Sequence, residues 1–344
     1  MTTLDTLKTL CAAPGVAGEE FPAAEAAARL LREVSDAVEI DAFGNVTAAL
    51  PGEDGAPVIL LDAHIDQIGL IVTHIEENGF LRAASCGGID RRLMLGQEVR
   101  ILGRKPLSGV VAAKPPHLST EDEREKVPEI TDLAIDTGYP AETLRELVRP
   151  GDRITLCGEF SELQNGCVSS PSLDDRAGAA AILHALRLLK GKKLPYTVCA
   201  LFSAQEETGG PGAAVSAFRA KPDEAIAVDV SFARSEGVPD RFPKLGDGAM
   251  IGVAPILNRG MFDELLALAE ERGIPHTIEA MGGSTGTNAD GIAPAAGGVR
   301  TGLLSIPQRY MHTPVEVVRL SDVEAVGELI AAYILRDTAE GEEE

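Results

Sequence analysis

The stretch Val58-Ile-Leu-Leu-Asp62-Ala-His64-Ile-Asp66 decides how the rest of the sequence is read. Residues 58–61 are apolar without a break. That suits a strand buried on both faces of an α/β sheet better than one with a wet side. Pro51-Gly52 and Pro57 bound the run as turn signals, and polar residues begin immediately after Leu61. His64 and Asp66 are two positions apart, so in extended chain both side chains point to one side. A histidine with a carboxylate beside it is what a metal ligand and its orienting partner require. A structural histidine tied to an acid reads the same way at this point.

The same kind of run recurs at residues 197–203, 225–230 and 303–306, and helical spacing of apolar residues runs through 22–34, 176–190, 262–272 and 322–336. Residues 68–164 differ. Short strand-like runs at 69–74, 98–102, 109–113 and 153–156 alternate with Gly/Pro turns, and long helices are nearly absent. An α/β pattern broken by a β-rich stretch predicts one domain inserted into another. The α/β domain takes residues 1–67 and 165–344, and a small β-barrel or sandwich takes 68–164. The charged run 119–126, flanked by prolines, reads as a solvated loop, and the acidic tail 340–344 is the one compositionally biased segment.

Composition excludes several classes. Lys plus Arg number 31 against 53 Asp plus Glu, a net charge of −22, so nucleic acid and anionic lipid would be repelled. With 44% hydrophobic and 24% charged residues the chain folds and buries a large core. No apolar run approaches the roughly 18–20 residues that span a bilayer, and the first fifteen residues lack the charge and apolar pattern of a secretory signal. Cysteines 11, 86, 157, 167 and 199 are odd in number and show no C-x-x-C spacing, which suits reduced thiols in a cytoplasmic protein.

Five segments carry acids and histidines at the ends of strand candidates, where α/β folds place their ligands. Beyond Asp62-Ala-His64-Ile-Asp66 they are Ser172-Leu-Asp174-Asp175-Arg176, Gln205-Glu206-Glu207-Thr-Gly-Gly, Val228-Asp229-Val230 and Arg309-Tyr-Met-His312-Thr-Pro314. Each has a plain structural reading. Asp174 and Asp175 could cap the helix they precede, Glu206 and Glu207 could sit in an exposed turn, and Asp229 could be a hydrogen-bonded core acid. Together, however, they supply the donors of a two-metal hydrolytic site. Adjacent glutamates at a buried strand end need a cation, and His, Asp and Glu suit zinc and its divalent neighbours.

In this order the five segments resemble the M42 family of dinuclear metallo-aminopeptidases, which includes the tetrahedral and glutamyl aminopeptidases and relatives once labelled endoglucanases. The resemblance extends to Ala13-Pro-Gly-Val-Ala-Gly18, Phe43-Gly-Asn45, Gly87-Gly-Ile-Asp90, Lys114-Pro-Pro-His117 and Leu304-Ser-Ile-Pro307. It implies a mixed-sheet, zinc-peptidase-like α/β domain in which 68–164 is a β-barrel that mediates dimerisation. It further implies two divalent metal ions per subunit, zinc first and cobalt or manganese as alternatives. His64 and Asp229 would hold one metal, Glu207 and His312 the other, and Asp174 both. Spacing alone does not choose Asp174 over Asp175.

The resemblance also makes Glu206 the general base, taking a proton from the metal-held water and returning it to the leaving amine. Asp66 orients His64. The implied reaction removes N-terminal residues from short peptides, in a homo-oligomer whose dimers build a tetrahedral dodecamer. Gln67 and Asn288 stand where relatives often carry Glu and Asp, and Ser172 replaces a commoner small residue. A related N-acyl amino acid deacylase and an inactive assembly protein of the same fold are the competing expectations. A glycosidase fits poorly, because its carboxylates must face each other across a sugar.

Overall fold

The computed structural model describes residues 1–336, apart from the side chains of residues 123 and 124; the 340–344 tail lies outside the described residues. Eight strands form one mixed sheet: β1 Ala37–Ile40, β2 Val46–Leu50, β3 Val58–His64, β4 Thr197–Ser203, β5 Glu224–Phe232, β6 Ala249–Val253, β7 His276–Ala280 and β8 Arg300–Gln308. Their order is β1-β2-β4-β3-β5-β8-β6-β7. The central four are mutually parallel, whereas β2 and β6 run antiparallel to β4 and β8.

Period-two alternation divides the apolar residues between two cores. Ile59 and Leu61 of β3, with Ile226 and Val228 of β5, join the large core that contains helices Phe21–Leu31, Leu173–Leu189, Arg259–Arg272 and Leu320–Ile334. Leu60, Ala225 and Ala227 point the other way, under helices Pro211–Ala220 and Ala289–Ile292. Strand β3 is therefore covered on both faces, as its unbroken apolar run requires.

The β-rich stretch is a closed antiparallel barrel. Gly69–Ile75, Leu81–Cys86, Ile135–Asp136, Pro106–Val111, Glu98–Leu102 and Arg153–Leu156 follow one another around it. Leu70, Val72, Leu81, Val99, Ile101 and Ile154 fill its interior, a core of its own. The charged run expected to be a loop contains a short helix, Glu121–Glu125. Where the chain returns from the barrel, Cys167–Ser170 is the middle strand of a small antiparallel sheet, between Ser161–Glu162 and Glu316–Arg319. Ser170 lies opposite Glu316 in that ladder, which brings the start of the Leu173–Leu189 helix beside the segment that follows His312. All five cysteines are free thiols.

Candidate metal centre

Strand β3 ends at His64, paired in register with Ser203 of β4. Ala227 of β5 pairs with Asp62, so Asp229, two residues further on, stands level with His64 on the same face. These are the carboxyl ends of parallel strands, where open α/β sheets bind ligands. Three loops complete the site. Asp174 comes from the first turn of the Leu173–Leu189 helix, Glu206 and Glu207 from the turn after β4, and His312 from the loop after β8.

Asp174 lies between the two histidines and offers one oxygen to each. Oδ1 is 2.9 Å from His64 Nε2, and Oδ2 is 3.3 Å from His312 Nε2. Glu207 Oε1 is 3.4 Å from His312 Nε2, while Asp229 Oδ1 and Glu206 Oε2 are each 4.0 Å from His64 Nε2. His64, Asp174 and Glu207 present ligand atoms within 4.8 Å of one another, as do His64, Asp175 and Asp229. Asp175 also caps its helix, accepting from Gly178 N at 2.9 Å. Every residue picked out in the sequence thus converges on one place, although Asp175 stands within reach as well.

A sequence profile of the M42 glutamyl aminopeptidases matches residues 44–329. The chain belongs to the M42 glutamyl aminopeptidase family. It is a peptidase, a hydrolase of peptide bonds. It is 34% identical over 343 residues to the lysyl aminopeptidase of Pyrococcus furiosus, covering 97% of each chain. The TET aminopeptidase of a marine-sediment thaumarchaeote is 30% identical and superposes with a TM-score of 0.92 over 97% of this chain and 96% of the other. Pyrococcus horikoshii TET1, a peptidase that can assemble into a tetrahedron or a large octahedral shell, is 35% identical with a TM-score of 0.86 over 97% and 99%.

Around the M42 site, buried acids hold the converging loops in place. Asp66, fully buried, accepts from Glu206 N at 3.0 Å and Glu207 N at 3.2 Å, and its Oδ1 stands 3.3 Å from His64 Nδ1. One carboxylate thereby fixes both a histidine ring and the turn bearing the two glutamates. Glu316, which sequence reasoning missed, does the same on the other side. Its Oε2 accepts from Asp174 N at 3.1 Å and its Oε1 from His312 N at 3.0 Å. The available signal was an acid opening an apolar strand four residues after His312. Asp62 is buried too, its Oδ2 accepting from Asn288 Nδ2 at 2.9 Å, and that amide also donates to Ser203 Oγ. Gln67 ties down the N-terminal segment instead, accepting from Gly15 N at 3.2 Å.

The barrel also touches the site. A Cβ on Gly88 would sit 2.9 Å from His312 Nδ1, so the Gly87-Gly88 pair admits the backbone where a larger residue would displace the ring.

The electrostatics fit divalent cations. Burial pushes the Asp229 and Asp175 carboxyls well above their ordinary values, Glu207 up to about 8, and Glu206 upward, with neighbouring carboxylates adding to the effect. Burial would raise Asp174 as well, but its hydrogen bonds with His312 and His64 hold it well below the usual carboxylate range. His312 is held up at about 9, the Asp174 and Glu207 contacts outweighing the opposing effect of burial. Among the described residues no lysine or arginine lines this cavity of about 400 Å³. Packing so many acids together without a cation is costly, and the His/Asp/Glu donor set suits zinc and its divalent neighbours.

Proposed function

We propose that this M42 peptidase is a dinuclear metal-dependent aminopeptidase that releases N-terminal residues from short peptides. The observation that carries the reading is the Asp174 carboxylate facing His64 with one oxygen and His312 with the other. His64 and Asp229 would hold one metal, Glu207 and His312 the second, and Asp174 both, with zinc the first choice and cobalt or manganese the alternatives. Such a pair of ions lowers the pKa of water and polarises a carbonyl.

The rest of the chemistry falls to side chains. Glu206 Oε2 is 4.0 Å from His64 Nε2 and makes no closer ion pair among the described residues, so its carboxylate is free to take a proton from the attacking water and return it to the leaving amine. Burial raises its pKa, which brings a carboxylate base nearer to the operating pH. Asp66 keeps His64 oriented and holds Glu206 in place through the backbone. An acid-rich cavity without lysine or arginine favours a substrate that presents a free amine.

Residues 68–164 are the assembly module of this reading, pairing subunits into dimers that build a tetrahedral dodecamer. The protein works in the cytoplasm. The family and the relative are named for different N-terminal residues, glutamyl and lysyl, so side-chain preference is not carried over from either. In the test, a chelator abolishes hydrolysis of amino-acid p-nitroanilides and zinc or cobalt restores it, with two metal equivalents bound per subunit. Full activity in metal-stripped protein would overturn the proposal.

A further inference from the structure

One acid in the cavity has no part in holding a metal or in the proposed proton transfer. Glu279 lies on β7, the edge strand, yet its side chain reaches across β6 into the sheet's interior. The register explains how. Gly252 of β6 lies opposite Glu279 and presents no side chain, so the carboxylate passes over it toward β8 and β5. There it accepts from Ser305 Oγ at 2.8 Å with one oxygen and from Ser231 Oγ with the other. Both serines belong to the sheet face that carries the proposed ligands: Ser305 pairs directly with Asp229, and Ser231 follows Asp229 by two residues on the same strand.

Strand geometry then places the acid. Ser305 stands about 4.8 Å from Asp229 across the ladder, and Ser231 about 6.6 Å further along β5. The Glu279 carboxylate therefore lies one side chain's length from the place where a substrate's first residue would be gripped. The cavity that holds both Glu279 and Asp229 is lined in part by the apolar side chains of Phe232, Met281 and Leu303. Two hydroxyl donors occupy part of the carboxylate's accepting capacity and fix its direction. Lone pairs remain for a further donor, the residue lines the cavity, and Glu279 makes no ion pair among the described residues. A fixed acid in a cavity with apolar residues in its lining matches a side chain with an aliphatic stem and a cationic tip.

We propose that Glu279 sets the specificity of this enzyme for a basic N-terminal residue, lysine or arginine, by pairing with its side-chain cation. The proposal rests on the aminopeptidase reading above and adds the class of residue removed. It is tested with metal-loaded enzyme on lysine, arginine, leucine and glutamate p-nitroanilides. Binding of L-lysine against L-norleucine, which has the same stem without the charge, is measured alongside by calorimetry.

The wild type is expected to favour lysine or arginine over leucine by about tenfold or more in kcat/KM, and to bind lysine more tightly than norleucine. Glu279→Gln keeps the size and both serine contacts but loses the charge. It should lower the lysine-to-leucine ratio on the order of 10- to 100-fold, mainly through KM, as expected for the loss of a desolvated charge pair. Glu279→Lys should shift preference toward the glutamate substrate. Leucine or glutamate preference in the wild type, or an unchanged ratio in Glu279→Gln, would overturn this proposal while leaving the aminopeptidase reading intact. Hydrolysis of none of the anilides would overturn both.

Discussion

Glu316 offers the sharpest test of how the site is held together, because it touches two proposed ligands without being one. Its carboxylate accepts the backbone N–H of Asp174 at 3.1 Å and that of His312 at 3.0 Å, and the side chain is fully buried. Glu316→Gln preserves the shape but leaves a single acceptor. The new amide nitrogen is itself a donor and must face one of the two backbone N–H groups. One hydrogen bond is lost and one buried donor left unsatisfied, at a cost of about 1–3 kcal/mol. If that cost is felt when the ligands are organised around metal, affinity falls on the order of 10- to 100-fold, since each decade is about 1.4 kcal/mol. The same range is typical for removing a partner that orients a ligand. The assay is competition between the protein and a chelator of known zinc affinity, with urea denaturation of the metal-loaded protein in parallel. A variant that binds both metals and resists urea like the wild type would show that Glu316 does not organise the two ligands.

Three further outcomes follow from named contacts. Glu206→Gln should retain both metals and lose about 10²–10⁴ in kcat, the usual share of a general base; wild-type turnover would remove Glu206 from that role. Gly88→Ala puts a methyl group 2.9 Å from His312 Nδ1. Overpacking of this kind costs about 1–3 kcal/mol, so metal analysis should show the site shared by His312 and Glu207 weakened by about tenfold or more, and normal occupancy would count against the contact. Asn288→Asp sets a second carboxylate against Asp62, which burial already pushes up to about 7. An acid whose folded pKa is raised adds most to stability below its unfolded value and loses that contribution as pH rises through the folded one. The stability deficit of Asn288→Asp relative to wild type should therefore grow between about pH 5 and pH 8 in urea titrations; a deficit independent of pH would show that the two side chains do not meet.

What could be read from the sequence, and what could not, follows from how far each residue's role depends on its own segment. His64, Glu206, Glu207 and His312 stand just beyond apolar runs, Asp229 within one and Asp174 at the start of a helix, and a buried strand is a place where an acid needs a reason to be. The central parallel strands were legible for the same cause, since burial on both faces leaves an unbroken apolar signature. Strands β1, β6 and β7 lie toward the sheet's margins, where alternating or mixed residues such as Ala37-Val-Glu-Ile40 resemble loop. Two barrel strands were hidden likewise: Leu81–Cys86 has no clean alternation, and Ile135–Asp136 is two residues long.

The residues that hold or shape the site were illegible for a deeper reason. Glu316 matters because an antiparallel ladder sets it opposite Ser170, in a segment far away in the chain. Glu279 is the limiting case. His276-Thr-Ile-Glu-Ala280 resembles loop in the sequence, and any local rule would leave its glutamate in water. It enters the cavity because the residue opposite is Gly252, and because β8 and β5 each present a serine at the right height. Metal ligands announce themselves because their chemistry is expensive wherever they are buried. A specificity residue costs little by itself, and its meaning lies in neighbours the sequence does not set beside it. Exchanging Gly252 for a bulkier residue should therefore disturb substrate preference as surely as exchanging Glu279: a Cβ at Gly252 already meets Leu303 at 3.0 Å, and a side chain there would stand on the strand between Glu279 and Ser305. If Gly252→Val kept the wild-type ratio of lysine to leucine cleavage, the route over Gly252 would not be what brings the acid into the cavity.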